Sequence, residues 1–542
     1  MKKINILLLI FCCLLLNSNI DAQVNNDSIP DLPSDEVQVL KKFKAKTKTY
    51  KPITGKPILK EKDAKKLNFD YKVDPPVIAL EKPSAELRPL AYTEPIAKHN
   101  KDGFVDVSFG NPSSPKVDYG YHYNIEDWYE IGLIGTYFSA DDNDIVLRDF
   151  MSTNHKLYGG YNLNKSIKVN ADVAYMKDKR YFFNTMFDEK PSNEDQLRNT
   201  YHNLNFGLNS SLNYMKEIGL NFNLGGNYDR ILFSEKDIQE QHTKAYASVE
   251  KSVGKHFIEL RSSYNRYNQS HNLDSTSIVS NVWNISGDFR YRPSKKLNIQ
   301  LGANYYKQEE LHVILPKLDA SYVINKMLTL KAGIDNNFQT LDLNNLFHVN
   351  KFTEFTTVDS IVSNYSMAPY LAIKGNIKSH QIQLSGRYNL EKNRYFYELS
   401  QADNFGLDLH YFDTNYFSAL LNYNYNWKKT SVGLSSLYNF NTENNVYFPE
   451  WELGLTIGQS LFSKVQLNAT YLMRDNRAFT VNNDLLAENT ILTDLNISGA
   501  YQITKLLQVK ASVNNIINQQ YHQWLGYPSY GRTYRAGAFI KF

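Results

Sequence analysis

Few residues of this 542-residue chain are spaced for chemistry. Its 12 His are scattered, and no His-Glu-x-x-His pair, Cys pair or Gly-x-Ser-x-Gly turn occurs. His202, His410 and His522 have no obvious catalytic partner at sequence level. Asp141-Asp142-Asn143-Asp144 is dense enough in carboxylates to attract Ca²⁺, but it lacks the Gly and closing Glu of a calcium-binding loop. It reads better as an acidic surface loop. Tyr521, Trp524, Tyr527 and Tyr530 crowd one stretch near the C-terminus. They form either a platform of rings for a ligand or a loop packed on itself. No catalytic, cofactor or metal site emerges, so the chain is expected not to be an enzyme.

The elements that would position these residues are strands. Tyr534, Ala536, Ala538, Ile540 and Phe542 share one face of an extended segment, against Thr533, Arg535, Gly537 and Lys541 on the other. Ile167, Val169, Ala171, Val173 and Tyr175 repeat the alternation, as do Leu220, Phe222, Leu224 and Tyr228. It returns in Leu297, Ile299, Leu301, Ala303 and Tyr305, and in Val465, Leu467, Ala469 and Tyr471. The Tyr comes eight residues after the start in the runs ending at Tyr175, Tyr228 and Tyr305, and six in the run ending at Tyr471. In strands rising about 3.3 Å per residue, those offsets put the four Tyr near one level. Short connectors such as Asn164-Lys165, Val253-Gly254-Lys255, Asn325-Lys326 and Thr504-Lys505 alternate with long ones such as Ser139 to Met151 and Thr340 to Ser363. The short ones tend to carry Lys, and the long ones carry acids, Glu309-Glu310 among them.

Mean hydropathy is −0.47. Past the first twenty residues no apolar run approaches a spanning helix. A chain so built crosses a bilayer only as a closed sheet, because lipid leaves no unpaired backbone group satisfied. The predicted fold is all-β: a transmembrane antiparallel β-barrel of about 22 strands over residues 102–542. Leu220, Phe222, Leu224, Leu297, Ile299, Leu301, Val465 and Leu467 are expected to face lipid, with their polar neighbours inside. A net charge of +4 is too small for a nucleic-acid partner.

Residues 1–22 read as a signal peptide, with Lys2 and Lys3 before the apolar run Ile4 to Leu16 and cleavage expected after Ala22. Cys12 and Cys13, the only cysteines, lie inside it. Residues 23–101 hold more than half of the 17 Pro, along with Lys runs, and show no alternation. This Lys- and Pro-rich extension is expected to be mostly irregular and periplasmic. Its later part, Asp74 to Asn100, is expected to contact the lumen or the rim.

The segment Asn514-Asn515-Ile516-Ile517-Asn518, then Gly526-Tyr527-Pro528 and Gly531-Arg532 through Phe542, resembles the C-terminus of TonB-dependent outer-membrane receptors. The strand count and Tyr registers extend the similarity loosely to the whole barrel, and Gln23 as first mature residue suggests a Bacteroidota type. The resemblance implies an outer-membrane barrel whose last strand, with Tyr534, Ile540 and Phe542, is the signal read by the barrel-assembly machinery. Receptors of this kind carry a folded plug domain, and residues 23–101 do not read as one. The expected function is a transporter or receptor passing or binding solute across the outer membrane of a Gram-negative cell. The alternative is a barrel subunit or scaffold of a larger secretion, export or assembly complex. Expected partners are outer-membrane lipid, the assembly machinery, and a periplasmic or outer-membrane protein.

Overall fold

The computed structural model describes residues 101–542, apart from 126–127, 143–144, 146, 165, 184–193, 215–218, 272–275, 356–360, 400–405, 441–448, 463, 477–479, 482–483, 486–489 and 525. The expectations for residues 1–100 lie outside the described residues.

Twenty-two antiparallel strands form one closed barrel. Each pairs with its neighbour in sequence, and the first, Lys101–Gly110, closes on the last, Thr533–Lys541. No helix among the described residues is long and apolar enough to cross a membrane. At one end the connections are tight turns built by local polar side chains. Asn164 Oδ1 accepts the N–H groups of Ser166 and Ile167, and Ser294 Oγ those of Lys296 and Leu297. Thr504 Oγ1 does the same for Leu506 and Leu507. At Gly254 the two-residue turn takes φ +59°, which glycine adopts without strain. The other end carries the long loops, among them 341–362 and 515–532. Glu309-Glu310 lies at that end too, but as a two-residue hairpin rather than in a long loop.

The eight apolar residues expected to meet lipid all sit on the outward face of their strands. Leu224 (62%), Leu301 (49%), Leu467 and Phe222 are exposed, whereas Leu220, Leu297, Ile299 and Val465 are half-covered by their neighbours. Tyr175, Tyr228, Tyr305 and Tyr471 also face outward, each at the long-loop side of its apolar run. The inner wall is polar and ion-paired through its short-turn half. Lys156 meets Asp172 at 3.1 Å, Lys168 meets Glu130 at 2.8 Å, and Arg387 meets Asp335 at 2.7 Å. Lys510 is paired with Asp106 across the closing seam.

That seam is tight. Phe542 and Gly103 exchange two backbone hydrogen bonds of 2.8 Å. A Cβ on Gly537 would lie 2.5 Å from the Val107 carbonyl oxygen, and one on Gly110 would lie 2.3 Å from that of Tyr534. Both obstacles are backbone and cannot swing aside. Gly537→Val is therefore expected to cost roughly 1–3 kcal/mol at the closure. The check is the melting temperature of the heat-modifiable folded band on electrophoresis. Wild-type melting would show that the seam has slack.

Candidate functional site

The inner wall changes character at the long-loop end. Tyr201, Ile231, Phe233 and Ile238 face inward there and are fully buried or nearly so. What covers them is the loop between Thr340 and Ser363, which folds into the lumen.

Local sequence explains the loop's form. Asp342 caps a short helix, Leu343–Val349 (α1), by accepting the Asn345 N–H at 2.7 Å. Leu343, Leu346 and Phe347 fall at helical spacing on one side and are buried. Phe347 stacks on Tyr201 at 4.0 Å with 10° between the ring planes. The Tyr201 hydroxyl donates to Asn344 Oδ1 at 2.5 Å. Past the helix, Phe355 packs on Phe233 at 4.6 Å. Residues 352–354 pair with Leu407: its N–H donates to the Phe352 carbonyl at 3.0 Å, and the Glu354 N–H donates to its carbonyl at 2.9 Å. The loop thus meets the strands Arg198–Tyr214 and Leu220–Phe233 on one side of the ring and Leu407–Trp427 on the far side. It is a lid across the lumen.

Charged contacts tie the lid to the wall. Lys351 Nζ lies 2.7 Å from Asp178, whose other oxygen takes Arg180 Nε at 2.6 Å. Lys236 reaches Glu354 at 3.1 Å. Glu240, wholly buried, accepts the Leu343 N–H at 3.1 Å and Gln269 Nε2 at 2.6 Å. The seam also leaves polar atoms buried without partners: Glu240 Oε1, Asn350 Nδ2, Asn199 Oδ1 and Asn203 Oδ1. Each such atom costs about 1–3 kcal/mol.

Burial first, and the field of Glu240 second, push the Asp342 carboxyl well above its ordinary 3.8; Asp229 adds to the rise. The folded value is raised, so this group's contribution to closure is complete below the ordinary value. It is lost as pH rises through the folded one. Alkalinisation is therefore expected to loosen the lid. Asn caps helices as well as Asp, so Asp342→Asn should flatten the dependence. Conductance in planar bilayers across a pH series checks this, and parallel profiles for both proteins would exclude Asp342.

Of the residues singled out by type and spacing, Trp524 and Tyr527 pack around this closure and the others lie elsewhere on the barrel. Tyr527 is buried, stacked on Phe352 at 3.8 Å and edge-on to Phe183 at 5.1 Å. Trp524 meets Tyr397 edge-on at 5.1 Å. Tyr530 donates its hydroxyl to the Arg148 carbonyl at 3.0 Å and lies 4.3 Å under that guanidinium. Tyr521 is half-buried and pairs with Ser529. In the acidic loop, Asp142 is ion-paired to Arg148. His202 shares a hydrogen bond with the Tyr175 hydroxyl at 2.9 Å, His410 lies 3.6 Å from Glu398, and His522 is half-buried. No group of three or more His, Cys, Asp or Glu among the described residues is arranged to hold a metal ion. Tyr534, Ile540 and Phe542 are exposed on the outward face of the last strand.

The same architecture is known from solved structures. The siderophore receptor PirA of Acinetobacter baumannii superposes with a TM-score of 0.66 at 12% identity, over 82% of this chain and 81% of that one. A mutant of the ferric enterobactin receptor of Pseudomonas aeruginosa gives 0.64 at 13%, over 82% and 80%. The copper transporter OprC gives 0.62 at 11%, over 82% and 83%. No protein-family model and no curated protein matches the chain. At these identities the likeness concerns the fold.

Proposed function

We propose that the chain is a receptor-type transporter of the outer membrane that binds or passes a solute through its lumen, with the long-loop end outside and the loop 341–362 as its gate. The single observation that carries this reading is the lid: a packed loop spanning a polar lumen in a barrel whose outer surface is apolar. A scaffold needs no closure of this kind across its lumen. The neighbours bear on the same kind of role, being receptors for siderophores and a transporter of copper. The Bacteroidota origin rests on Gln23 as the first mature residue, and the reading of Tyr534, Ile540 and Phe542 as an assembly signal rests on the resemblance of the last strand and loop. The aromatic group of Tyr521, Trp524, Tyr527 and Tyr530 would then brace the gate from above, where a solute arrives.

A cross-link tests the gate. With Cys12 and Cys13 in the expected signal peptide, Asp178→Cys and Lys351→Cys supply the only thiols of the mature chain. A cleavable bis-thiol reagent joining them is expected to abolish solute entry into proteoliposomes, and reduction to restore it. If entry is the same with the link closed and open, the lid is not the gate. If no solute enters in any state, the scaffold reading takes its place.

A further inference from the structure

On four successive upward-running strands the outward face carries the same pair of residues. Tyr175 is followed two positions on by Lys177, Tyr228 by Arg230, Tyr264 by Arg266, and Tyr305 by Lys307. Cross-strand pairing places all eight outward: Lys177 opposite His202, Arg230 opposite Leu204 and Gln241, Arg266 opposite Thr243 and Asn281, Lys307 opposite Trp283 and His312. The equivalent position elsewhere on the barrel is uncharged, with Ser139 after Tyr137, Leu390 after Tyr388 and Met473 after Tyr471. The pattern therefore marks one flank.

Three of the four phenols are held in place. Tyr175 bonds His202 Nδ1 at 2.9 Å, Tyr305 bonds His312 Nδ1 at 2.8 Å, and Tyr264 donates to Asn281 Oδ1 at 2.6 Å. The cations beyond them make no ion pair among the described residues, and Arg230, Arg266 and Lys307 are exposed. Every Asp and Glu on the strands from Phe150 to Val323 (172, 178, 229, 240, 250, 259, 288 and 319) lies at an inward position. Alternate strands stand about 10 Å apart, so the four cations form a shelf just past the tyrosine level. Amides and hydroxyls are interleaved with them on the same face: Gln241, Thr243, Asn268 and Asn281.

We propose that this flank docks the phosphorylated glycolipid of the outer leaflet, the cations taking its phosphates and the interleaved amides its sugar hydroxyls. Tyrosine settles at the level where acyl chains give way to headgroups, and the first turn of strand beyond it is where phosphates lie. Free cations there, with no strand carboxylate on the same face, form charge-assisted bonds to them. The proposal rests on the reading of the long-loop end as the outer one.

The test uses full-length protein in detergent with bisphosphorylated lipid A, dephosphorylated lipid A or phosphatidylglycerol, reading bound lipid and thermal stability. Wild type is expected to bind bisphosphorylated lipid A at least tenfold tighter than the other two and to melt higher with it. The quadruple variant Lys177→Gln, Arg230→Gln, Arg266→Gln, Lys307→Gln should lose both effects. Lys177→Arg with Lys307→Arg, and Lys429→Gln with Lys464→Gln at the short-turn end, should keep them. Equal binding by the quadruple variant, by dephosphorylated lipid A or by phosphatidylglycerol overturns the proposal. A barrel that conducts nothing yet binds the lipid would fail the transport reading and leave this one standing.

Discussion

Replacing residues 343–355 with a short Gly-Ser tether is expected to turn a nearly silent barrel into an open pore, raising single-channel conductance on the order of tenfold or more. A ring of 22 strands encloses a lumen too wide for inward side chains to fill. In this chain the span from Tyr201, Ile231 and Phe233 across to Leu407 is filled by helix α1 and the segment after it. The excision removes Leu343, Leu346, Phe347 and Phe355 and touches no barrel strand, so the folded band on electrophoresis should persist. A companion deletion of residues 23–98 separates the two candidate closures. If only the lid excision opens the pore, the lid is the barrier. If only the N-terminal deletion does, the extension fills the lumen and the lid is a covering. If wild type already conducts at the excised level, the gate is refuted.

The barrel was legible because lipid imposes one rule on every strand. Leu220, Phe222 and Leu224 alternate with Asn221 and Asn223 for the same reason that Val465 and Leu467 alternate with Gln466: one face meets hydrocarbon and the other water. The closing pair of strands was legible from a single end, since the last strand obeys the same alternation down to Phe542. The lid is not legible in the same way. Its helix carries local signals, Asp342 at the cap and Leu343, Leu346 and Phe347 at helical spacing, yet nothing in 341–362 says whether that apolar stripe turns outward or into the barrel.

The missing signal lay in the wall. Ile231-Leu232-Phe233 is apolar on both faces, and Tyr201 stands among inward Asn residues. A barrel strand that loses its alternation near one end is meeting two apolar environments, lipid outside and packed protein within. Phe182-Phe183 marks the same change beyond its strand, where both rings are buried. The loop aromatics follow this logic. Tyr527 and Trp524 read in sequence as a ligand platform or a self-packed loop, because a ring's partners come from Phe183, Phe352 and Tyr397, more than a hundred residues away in the chain.

The lid's hold on the wall should depend most on Asp178. Its carboxylate is wholly buried between Arg180 and Lys351, side chains that keep 21% and 27% of their surface. Asp178→Asn preserves the shape and removes the only negative charge in the triplet, so two cations are left facing each other with little water to screen them. Breaking a buried pair from one side costs about 3–5 kcal/mol, mostly through the charge left behind. At the lower bound, the amides of residues 346–350 should exchange with solvent on the order of a hundredfold faster, since local opening sets their protection. Lys351→Met should cost less, because Asp178 keeps Arg180 and no charge is stranded. The double variant should recover part of the loss, as expected when the first change acts by stranding Lys351. If Asp178→Asn accelerates exchange throughout the strand Ile167–Tyr181 and leaves 346–350 protected, the carboxylate braces Arg180 within the wall, and Lys351 is no latch.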